Sequence, residues 1–345
     1  MATGLKEVAL IAGVSVQTAS DILNCGRHDR YNPNTQARVK EVAQEQRYRP
    51  QRLGRVLRAQ STGMIGFVTA NFSPEDGQLE FYNVYPFLVG MSHHLSARDY
   101  HVGLLEIAEF QQKNDKDLPR CLQERFYDSL VIHWGLAEKF AGLMPLLGIP
   151  AIWWDAGLFL PNNCLDRDEA EVGRTITNHL IELGHRRIGF MVGQRSWEQY
   201  KQGNPPHYSY SQRYESYGAV LHERGLEEIP IKGYGVPQLT AQMKKHQLTA
   251  IVTMSTASVP YVRLAAHKLG WSVPQDLSVA VCDFEERVRQ TEMCVGGVSY
   301  DRYAVGRQAA EMLLELLTQR DRTVASAKFV GEFCVGDTIS RAPAR

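Results

Sequence analysis

The sequence lacks a hydrophobic run long enough to cross a membrane. Its longest apolar stretch, Leu143 to Trp154, has 12 residues and contains two prolines, whereas a spanning helix needs about 20. The chain also does not open with a basic segment followed by an apolar core, as a secretory leader would. We therefore expect a cytoplasmic protein with no membrane partner.

Metal and catalytic motifs are absent as well. The six cysteines are scattered at positions 25, 121, 164, 282, 294 and 334, with no Cys-x-x-Cys pair and no Cys/His cluster at zinc spacing. This argues against a disulfide framework and a structural zinc. No Gly-x-Gly-x-x-Gly, Walker or Gly-x-Ser-x-Gly motif follows a strand-like run. We therefore expect no metal, no cofactor and no catalytic residue.

The charge is balanced overall but uneven along the chain. The 345 residues, enough for two or three domains, contain 38 Lys/Arg and 38 Asp/Glu. Residues 1–60 contain ten Lys/Arg against five Asp/Glu, so the remainder has the opposite excess. A basic head on an acidic body is typical of a polyanion-binding module fused to another domain. A solvated basic surface is the alternative.

A helix-turn-helix is predicted in the head. Apolar residues at helical spacing mark a first helix over 5–12. Ser15 can cap a second helix, Val16–Leu23, and Asn32 can cap a third. The predicted core of these helices comprises Leu5, Val8, Ala12, Val14, Ala19, Leu23, Val39 and Val42.

The start of the second helix has side chains suited to reading DNA. Gln17 can bond bidentately to adenine, and Val16 or the methyl group of Thr18 can contact the thymine methyl. The first residues of such a helix are those that reach base edges. The alternative is that Val16 and Thr18 only support the turn.

The head resembles a known family at this point. GLKEVALIAGVSVQTASDILN at 4–24 and TQARVKEVAQEQRYRPQRLGRVLR at 35–58 resemble the lactose/galactose repressor family (LacI/GalR) of bacterial transcription factors. The resemblance implies a homodimer that binds double-stranded DNA at a pseudo-palindromic operator. Together with the pattern, it assigns DNA contacts to Lys6, Ser15, Val16, Gln17, Thr18, Asp21, Asn24, Asn32, Thr35, Arg52, Arg55 and Leu57.

Residues 49–61 correspond to the family's hinge. Arg49-Pro50 begins an extended segment, because the residue before proline avoids helix. The resemblance implies that the following basic stretch folds as a helix on the operator and that Leu57 wedges into the minor groove. An ordinary flexible linker is the alternative.

Three positions depart from the usual family pattern: Asp21 replaces an arginine, Gln51 an asparagine and Gly54 an alanine. A carboxylate can accept from cytosine N4 but repels phosphates. Glycine costs a helix roughly 1 kcal/mol. We therefore expect either an operator that differs from the family's usual one or weaker binding to the operator.

The acidic body alternates strand-like and helical segments. Short apolar runs such as 64–70, 100–107 and 128–134 are separated by helical stretches, and the same order restarts after Asp166. This alternation indicates βαβ units with parallel sheets. We predict an α/β fold with two Rossmann-like lobes, which face each other across a ligand-binding cleft.

The body also resembles the family's core, which is similar to periplasmic sugar-binding proteins. LDRDEAEVGRTITNHLIELGHRRIGFMVG at 165–193 is the closest stretch. The resulting division gives a helix-turn-helix domain at 1–48, a hinge at 49–61 and an effector-binding and dimerisation core at 62–345. Within the core, the first lobe comprises about 62–164 and 296–324, and the second about 165–292 and 327–345.

Candidate effector-binding residues follow the predicted strands. The resemblance implies that Arg213 and Asp283 contact the effector; an interlobe salt bridge is the alternative. The indole of Trp154 can stack on a sugar, and Asp155 can accept from its hydroxyls. The full set is Phe81, Tyr82, Trp134, Trp154, Asp155, Arg213, Thr256 and Asp283, with core packing as the alternative for the aromatics.

The expected effector is a carbohydrate or derivative, although two features are unusual. Ser255-Thr256 stands where many relatives have Asn-Asp, and the loop 194–210 is long and aromatic. The sequence therefore predicts an effector-controlled transcriptional regulator, most simply a repressor. The alternatives are a solute-binding protein, disfavoured by the basic head, and an enzyme. His185 could suggest an active site, but a histidine at a helix end is more often a cap.

Overall fold

The computed structural model describes residues 4–24, 28–49, 61–69, 77–106, 119–133, 144–284, 294–319 and 323–344. Within these ranges, the side chains of 28, 77–83, 106, 145 and 146 are not described. The chain divides into two compact units, which are described separately below. The first unit is Met1–Met64 with Arg120–Asp128, and the second is Ile65–Pro119 with Ser129–Arg345.

The first unit contains the predicted helix-turn-helix. Its helices are α1 (Leu5–Ile11), α2 (Val16–Leu23) and α3 (Pro33–Glu45), with a short 3-10 turn at His28–Arg30 between the last two. The core joins all three helices through Val8, Ala12, Ala19, Val39 and Val42, and Leu5, Val14 and Leu23 pack against it. The core predicted from the apolar spacing is therefore confirmed.

Local chemistry sets where these helices begin. Gly13 has a φ of +63°, a conformation that costs glycine no steric strain, so α1 can end there and the chain can turn. The Ser15 hydroxyl accepts from the Thr18 backbone N–H at 3.0 Å, and the side-chain Oδ1 of Asn32 accepts from the Asn34 backbone N–H at 2.8 Å. Both predicted caps are present, and they position the start of α2 and of α3.

The second unit contains two six-stranded sheets, each the centre of a lobe. The first sheet has the strand order β11-β5-β4-β3-β1-β2. Its strands are β1 (Met64–Thr69), β2 (His101–Glu106), β3 (Ser129–His133), β4 (Ala151–Trp154), β5 (Cys164–Arg167) and β11 (Ala327–Phe329). The pairs β1–β3, β3–β4, β4–β5 and β5–β11 are parallel.

The second sheet has the strand order β12-β10-β9-β8-β6-β7. Its strands are β6 (Ile188–Val192), β7 (Ile229–Lys232), β8 (Ala250–Thr253), β9 (Ser278–Val281), β10 (Gly296–Ser299) and β12 (Glu332–Cys334). Only the β10–β12 pair is antiparallel among the registered pairs of this sheet.

Helices cover the sheets. The remaining helices among the described residues are α4 (Gly77–Ser96), α5 (Arg120–Gln123), α6 (Met144–Leu147), α7 (Glu169–Glu182), α8 (Gln194–Lys201), α9 (Tyr208–Glu223), α10 (Val236–Lys245), α11 (Val259–Lys268) and α12 (Arg302–Thr318), of which α5 belongs to the first unit. In the first lobe, α4 and α12 pack on the sheet. In the second lobe, α7 and α9 pack on one face and α10 and α11 on the other. The predicted doubly wound α/β lobes are confirmed.

The boundaries between the lobes lie a few residues later than expected. β5 pairs with β4 in the first sheet, and β10 pairs with β9 in the second. The chain therefore passes between lobes after Arg167, after Ser299 and between β11 and β12. Apolar periodicity locates a strand but does not show which sheet the strand joins, because that depends on the strand it pairs with.

Candidate functional site

The first turn of α2 presents the side chains that the sequence assigns to base contacts. Val16 is 44% exposed, Gln17 is exposed, and Thr18 is half-buried. The Ser15 and Thr18 hydroxyls also hydrogen-bond to each other at 2.8 Å. The start of α2 is therefore held in place by its cap, while Val16 and Gln17 project from the surface.

Asp21 lies on the same helix but is turned inward. It is 6% exposed, its Oδ1 accepts from Gln17 Nε2 at 2.8 Å, and its Oδ2 accepts from the Tyr31 hydroxyl at 2.8 Å. The hydrogen bond to Asp21, with burial, raises the pKa of Tyr31. Asp21, which stands where the family usually has arginine, thus belongs to a hydrogen-bonded cluster within the first unit.

The other predicted DNA contacts lie around α2. Lys6 and Asn32 are exposed and Thr35 is half-buried. The Asn24 side-chain nitrogen donates to the Tyr48 hydroxyl at 3.4 Å, while its Oδ1 is buried with no hydrogen-bond partner among the described residues. Arg52, Arg55 and Leu57 of the predicted hinge lie outside the described residues.

A cavity of about 270 Å³ lies between the two lobes of the second unit. Its volume is close to the lower end of the range for small-molecule pockets, about 300–1,000 Å³. Both lobes supply its lining, as expected where the carboxyl ends of parallel strands face each other. The lining residues are Val84, His133, Trp154, Asp155, Arg167, His207, Ser209, Arg213, Met254, Ser255, Asp283, Tyr300, Arg302 and Val305.

Arg213 extends from α9 into this cleft, but its guanidinium is already occupied. Nε and Nη2 donate to the two oxygens of Glu169 at 2.6 and 2.8 Å, and Nη1 donates to the Met254 carbonyl at 3.1 Å. The side chains of Arg213 and Glu169 are 5% and 0% exposed. Burial acts to lower the pKa of Arg213, but Glu169 and Asp283 outweigh it and raise the pKa. The arginine is therefore held charged within its own lobe.

Asp283 joins the lobes. It follows β9 in the second lobe, and Arg302 Nη2, from the first lobe, donates to both its oxygens at 2.8 Å. Arg167 Nη1, at the end of β5, donates to Oδ2 at 2.7 Å. Burial acts to raise the pKa of Asp283, but Arg302, Arg167 and Arg213 lower it overall. Asp283 thus forms salt bridges between the lobes, and its contact with an effector stays a prediction.

Asp155 forms a second connection between the lobes. It follows β4 with a φ of +53°, and the Tyr208 hydroxyl, from the second lobe, donates to Oδ1 at 2.5 Å. Arg167 Nε and Nη2 donate to its two oxygens at 3.2 and 2.9 Å. Burial acts to raise the pKa of Asp155, but Arg167, His207 and Tyr208 lower it overall. Arg167 therefore connects the two interlobe carboxylates.

One wall of the cleft is aromatic. Trp154 is 5% exposed and stacks on Phe87, with ring centroids 3.6 Å apart, and on His133 at 4.6 Å. Burial lowers the pKa of His133 to about 4, so this imidazole is neutral at pH 7. Trp154 thus lines the cleft as part of the first lobe's core, and little of its indole is open to a ligand.

Of the eight predicted effector residues, the structure brings Trp154, Asp155, Arg213 and Asp283 to the cleft. Thr256 is not among the lining residues, although its neighbour Ser255 is. Phe81 and Tyr82 lie on α4, where their side chains are not described, and Trp134 lies outside the described residues. These three contacts stay predictions.

Sequence reasoning missed Arg167, Glu169, His207, Tyr208 and Arg302 as site residues. Arg167 ends a strand and Arg302 opens a helix after another, so the strand-end rule could have found both. His207 and Tyr208 lie in the segment 194–210, which sequence analysis predicted as a long loop; the structure instead has α8 at Gln194–Lys201 and begins α9 at Tyr208. Glu169 carried no signal of its own, because an acidic first turn is common in helices.

The structure supports the structural interpretation of His185. The residue is fully buried, with Nδ1 bonded to the Thr249 hydroxyl and Nε2 to the Ser340 carbonyl, both at 3.0 Å.

Across the described part of the chain, no cluster of three or more His, Cys, Asp or Glu is placed to hold a metal ion. Within the same residues, no helix has the length and apolarity needed to cross a membrane.

Two family models match the chain, one in each unit. The model of bacterial regulatory proteins of the lacI family matches residues 4–51. The model of the periplasmic binding protein-like domain matches residues 177–339. The first match contains the helix-turn-helix, and the second contains most of the second lobe.

Two curated relatives match over nearly the whole chain. The HTH-type transcriptional repressor PurR of Haemophilus influenzae (strain PittEE) is 24% identical over 335 residues, which is 94% of each chain. The ribose operon repressor of Haemophilus influenzae (strain ATCC 51907 / DSM 11121 / KW20 / Rd) is 23% identical over 337 residues, covering 91% of this chain and 92% of the relative.

Solved structures show the same fold. A lac repressor dimer bound to operator and the anti-inducer ONPF superposes with a TM-score of 0.79 at 18% identity, covering 99% of this chain and 100% of that one. A complex of the transcriptional regulator CelR with cellobiose has a TM-score of 0.59 at 20% identity, covering 97% and 99%. The chain therefore belongs to the lacI family of bacterial regulatory proteins and is a DNA-binding transcriptional regulator, not an enzyme, with a periplasmic-binding-protein-like domain.

Proposed function

We propose that this protein represses transcription by binding a pseudo-palindromic operator as a homodimer, and that a small molecule bound between the lobes controls operator affinity. One observation carries the proposal. Charged groups from both lobes converge on Asp283 inside a cavity of small-molecule size. A ligand that bonds to these groups changes the contacts that hold the lobes together, and so couples binding to lobe movement.

The effector that this cleft suits is a carbohydrate or derivative. Three arginines and three carboxylates lie around the cavity already paired with one another, so a neutral polyhydroxy molecule can exchange hydrogen bonds with them without leaving a charge unpaired. Related regulators have been solved with cellobiose and with ribose. The proposed contacts are Asp155 and Asp283, together with Arg167 and Arg302.

Arg213 has a different role in this proposal from the one the sequence suggested. Three of its five N–H groups donate to Glu169 and the Met254 carbonyl, and Nη2 also lies 3.6 Å from Asp283 Oδ2, so most of its hydrogen-bonding capacity is used within its own lobe. Its part is to hold Glu169 and the start of α9 in place beside the cleft. Direct contact with the effector is then made by the other charged side chains that line the cleft.

The DNA-binding mechanism follows the family's organisation. The first turn of α2 reads bases in each half-site, while Arg52, Arg55 and Leu57 of the hinge contact the minor groove between them. Effector binding changes the angle between the lobes, and with it the spacing of the two hinges in a dimer. Whatever the effector does to operator affinity, the operator does equally to effector affinity. The protein acts in the cytoplasm.

Selection of bound duplexes from a random DNA pool tests the operator proposal. The full chain at a stated salt concentration is expected to enrich a pseudo-palindrome, whereas Gln17→Ala is expected to lose the preference at one base pair in each half. Failure to enrich any sequence, with or without candidate sugars, would contradict the regulatory mechanism. Ligand binding without any DNA selection would instead support a solute-binding protein.

A thermal-shift screen tests the effector proposal. A panel of pentoses, hexoses and disaccharides is expected to contain a compound that raises the Tm of the full chain, because a ligand that binds only the folded state stabilises it. The same compound should change operator affinity. A compound that raises Tm but leaves operator affinity unchanged would separate binding from control.

A further inference from the structure

We propose that Asp21 is a positioning residue for DNA recognition: it orients the amide of Gln17 so that this side chain selects adenine over guanine. This inference rests on the proposed function, because it assumes that α2 reads the operator. It concerns the hydrogen-bonded cluster of Gln17, Asp21 and Tyr31, all of which belong to the first unit.

The cluster holds the Asp21 carboxylate inward. Carboxylates are rarely buried unless they are paired, and Asp21 is 6% exposed. Gln17 donates to one of its oxygens from one helical turn away, and the Tyr31 hydroxyl donates to the other, both at 2.8 Å. The residue is therefore anchored from two sides and does not share the outward direction of Val16 and Gln17.

The chemistry of the carboxylate sets the direction of the amide. An ionised carboxylate only accepts hydrogen bonds, so the nitrogen of the Gln17 amide must face it. Turning the amide over would bring two acceptor oxygens together. One N–H of Gln17 is consequently bound to Asp21, and the outward edge of the amide has Oε1 and the second N–H.

That outward edge matches one purine better than the other. Adenine presents the N7 acceptor and the N6 amino donor in the major groove, whereas guanine presents two acceptors, N7 and O6. One acceptor and one donor on Gln17 complement adenine. Against guanine, Oε1 would meet O6, and the N–H that could have relieved this clash is held by Asp21.

The departure from the family's usual arginine thus has a physical consequence. An arginine at position 21 would offer only donors and could itself reach guanine. The buried aspartate instead acts through Gln17. The operator of this protein is therefore expected to have adenine where Gln17 contacts it.

The test compares base preferences with the full chain. Gln17→Ala first locates the base pair that Gln17 reads, as the position where this variant loses preference. Affinities are then measured for duplexes that differ only at that pair, with wild type and with Asp21→Asn. Asparagine has nearly the same shape, but its amide can face Gln17 with either oxygen or nitrogen, so the Gln17 amide can turn over.

The preference for adenine over guanine is expected to fall about tenfold in Asp21→Asn, while preferences at other positions are unchanged. Tyr31→Phe keeps the carboxylate but removes one anchor, so a smaller loss at the same pair is expected. Lys6→Ala is the control, because loss of a phosphate contact should weaken binding to all these duplexes equally.

Two results would overturn the inference. One is an unchanged adenine preference in Asp21→Asn, and the other is an equal loss on all duplexes, as in the Lys6→Ala control. If Asp21→Asn does not fold, Tyr31→Phe decides the question in the same way. If the wild-type protein enriches no sequence at all, the proposed function itself fails. If the wild-type protein binds an operator tightly but Asp21→Asn keeps the same preference for adenine, only this inference fails.

Discussion

At the scale of single residues, burial decides what a charge contributes. Arg213 and Arg174 both pair with a glutamate on α7, but their surroundings differ. Arg213 and Glu169 are 5% and 0% exposed, whereas Arg174 and Glu171 are 46% and 44% exposed. Removing one partner of a buried pair leaves the other charge without compensation, while an exposed pair is already solvated.

We therefore expect Arg213→Ala to lower the free energy of unfolding of the second unit by about 3–5 kcal/mol. Arg174→Ala, its matched control, should change it by at most about 1 kcal/mol. Urea denaturation at pH 7 measures both. Similar losses in the two variants would show that Arg167, whose Nη1 lies 3.1 Å from Glu169 Oε1, compensates the carboxylate when Arg213 is absent.

Asp166 provides a prediction of pH dependence. It is buried, its Oδ1 accepts from Ala156 N–H at 3.1 Å, and burial together with Asp155 raises its pKa to about 6. The Asp166 carboxyl group therefore binds its proton more tightly in the folded state than in the unfolded state. Its contribution to stability is fully present below the ordinary carboxyl pKa, near 4, and is lost as pH rises to about 6.

Asp166→Asn should remove this loss, because an amide keeps the acceptor without the charge. The variant is expected to match wild type near pH 4 and to exceed it by roughly 3 kcal/mol at pH 7. Denaturant unfolding at the two pH values measures the difference. An effect of equal size at both values would show that the change acts through packing and not through ionisation.

At the scale of secondary-structure elements, short helices depend on their ends. Isolated helices of fewer than about 12–15 residues are marginal in water, and α2 has 8 residues. It is stabilised by the Ser15 cap and by packing of Ala19 and Ile22 on the core of the first unit. The cap also determines where the exposed residues Val16 and Gln17 begin.

Ser15→Ala should cost the first unit about 1 kcal/mol. Hydrogen exchange of the α2 backbone amides is the suitable measurement, since it reports opening of this helix within the full chain. Lys40→Ala, at an exposed position of α3, is the control and should leave α2 exchange unchanged. Equal protection in wild type and Ser15→Ala would mean that core packing alone holds the start of the helix.

At the scale of the whole second unit, the two lobes are joined across the cleft by charge pairs in addition to the covalent crossings. Arg302 and Arg167 of the first lobe meet Asp283 of the second, and Tyr208 of the second lobe meets Asp155 of the first. The charged side chains that make these contacts are themselves largely buried. A ligand that replaces these contacts therefore changes the angle between the lobes.

A double-mutant cycle between Arg302→Ala and Asp283→Asn should show this connection. We expect a coupling free energy of about 0.5–3 kcal/mol, because the two side chains are in contact. The pair Arg302→Ala with Arg174→Ala should be additive within about 0.5 kcal/mol, since Arg174 is an exposed residue paired with Glu171. Additivity in the Arg302–Asp283 cycle would mean that Arg167 alone maintains the contact.

The sequence by itself determined the local features of this protein. The caps at Ser15 and Asn32, the turn at Gly13 and the alternation of strands and helices all depend on residues close together in the chain. Periodicity and capping chemistry act over a few residues, so they can be recognised without the fold. The position of Asp283 at a strand end was predictable for the same reason, whereas Arg213 was singled out through the resemblance to the family and lies inside α9.

Only the tertiary structure decided which groups meet. Glu169 and Arg213 are separated by 44 residues, and Arg167 and Asp283 by 116; no local pattern pairs them. The structure also turned Asp21 inward toward Tyr31 and placed β10 in the second sheet. Partner choice depends on the packing of distant segments, and in a buried site the partner determines whether a charged side chain is available to a ligand or already satisfied.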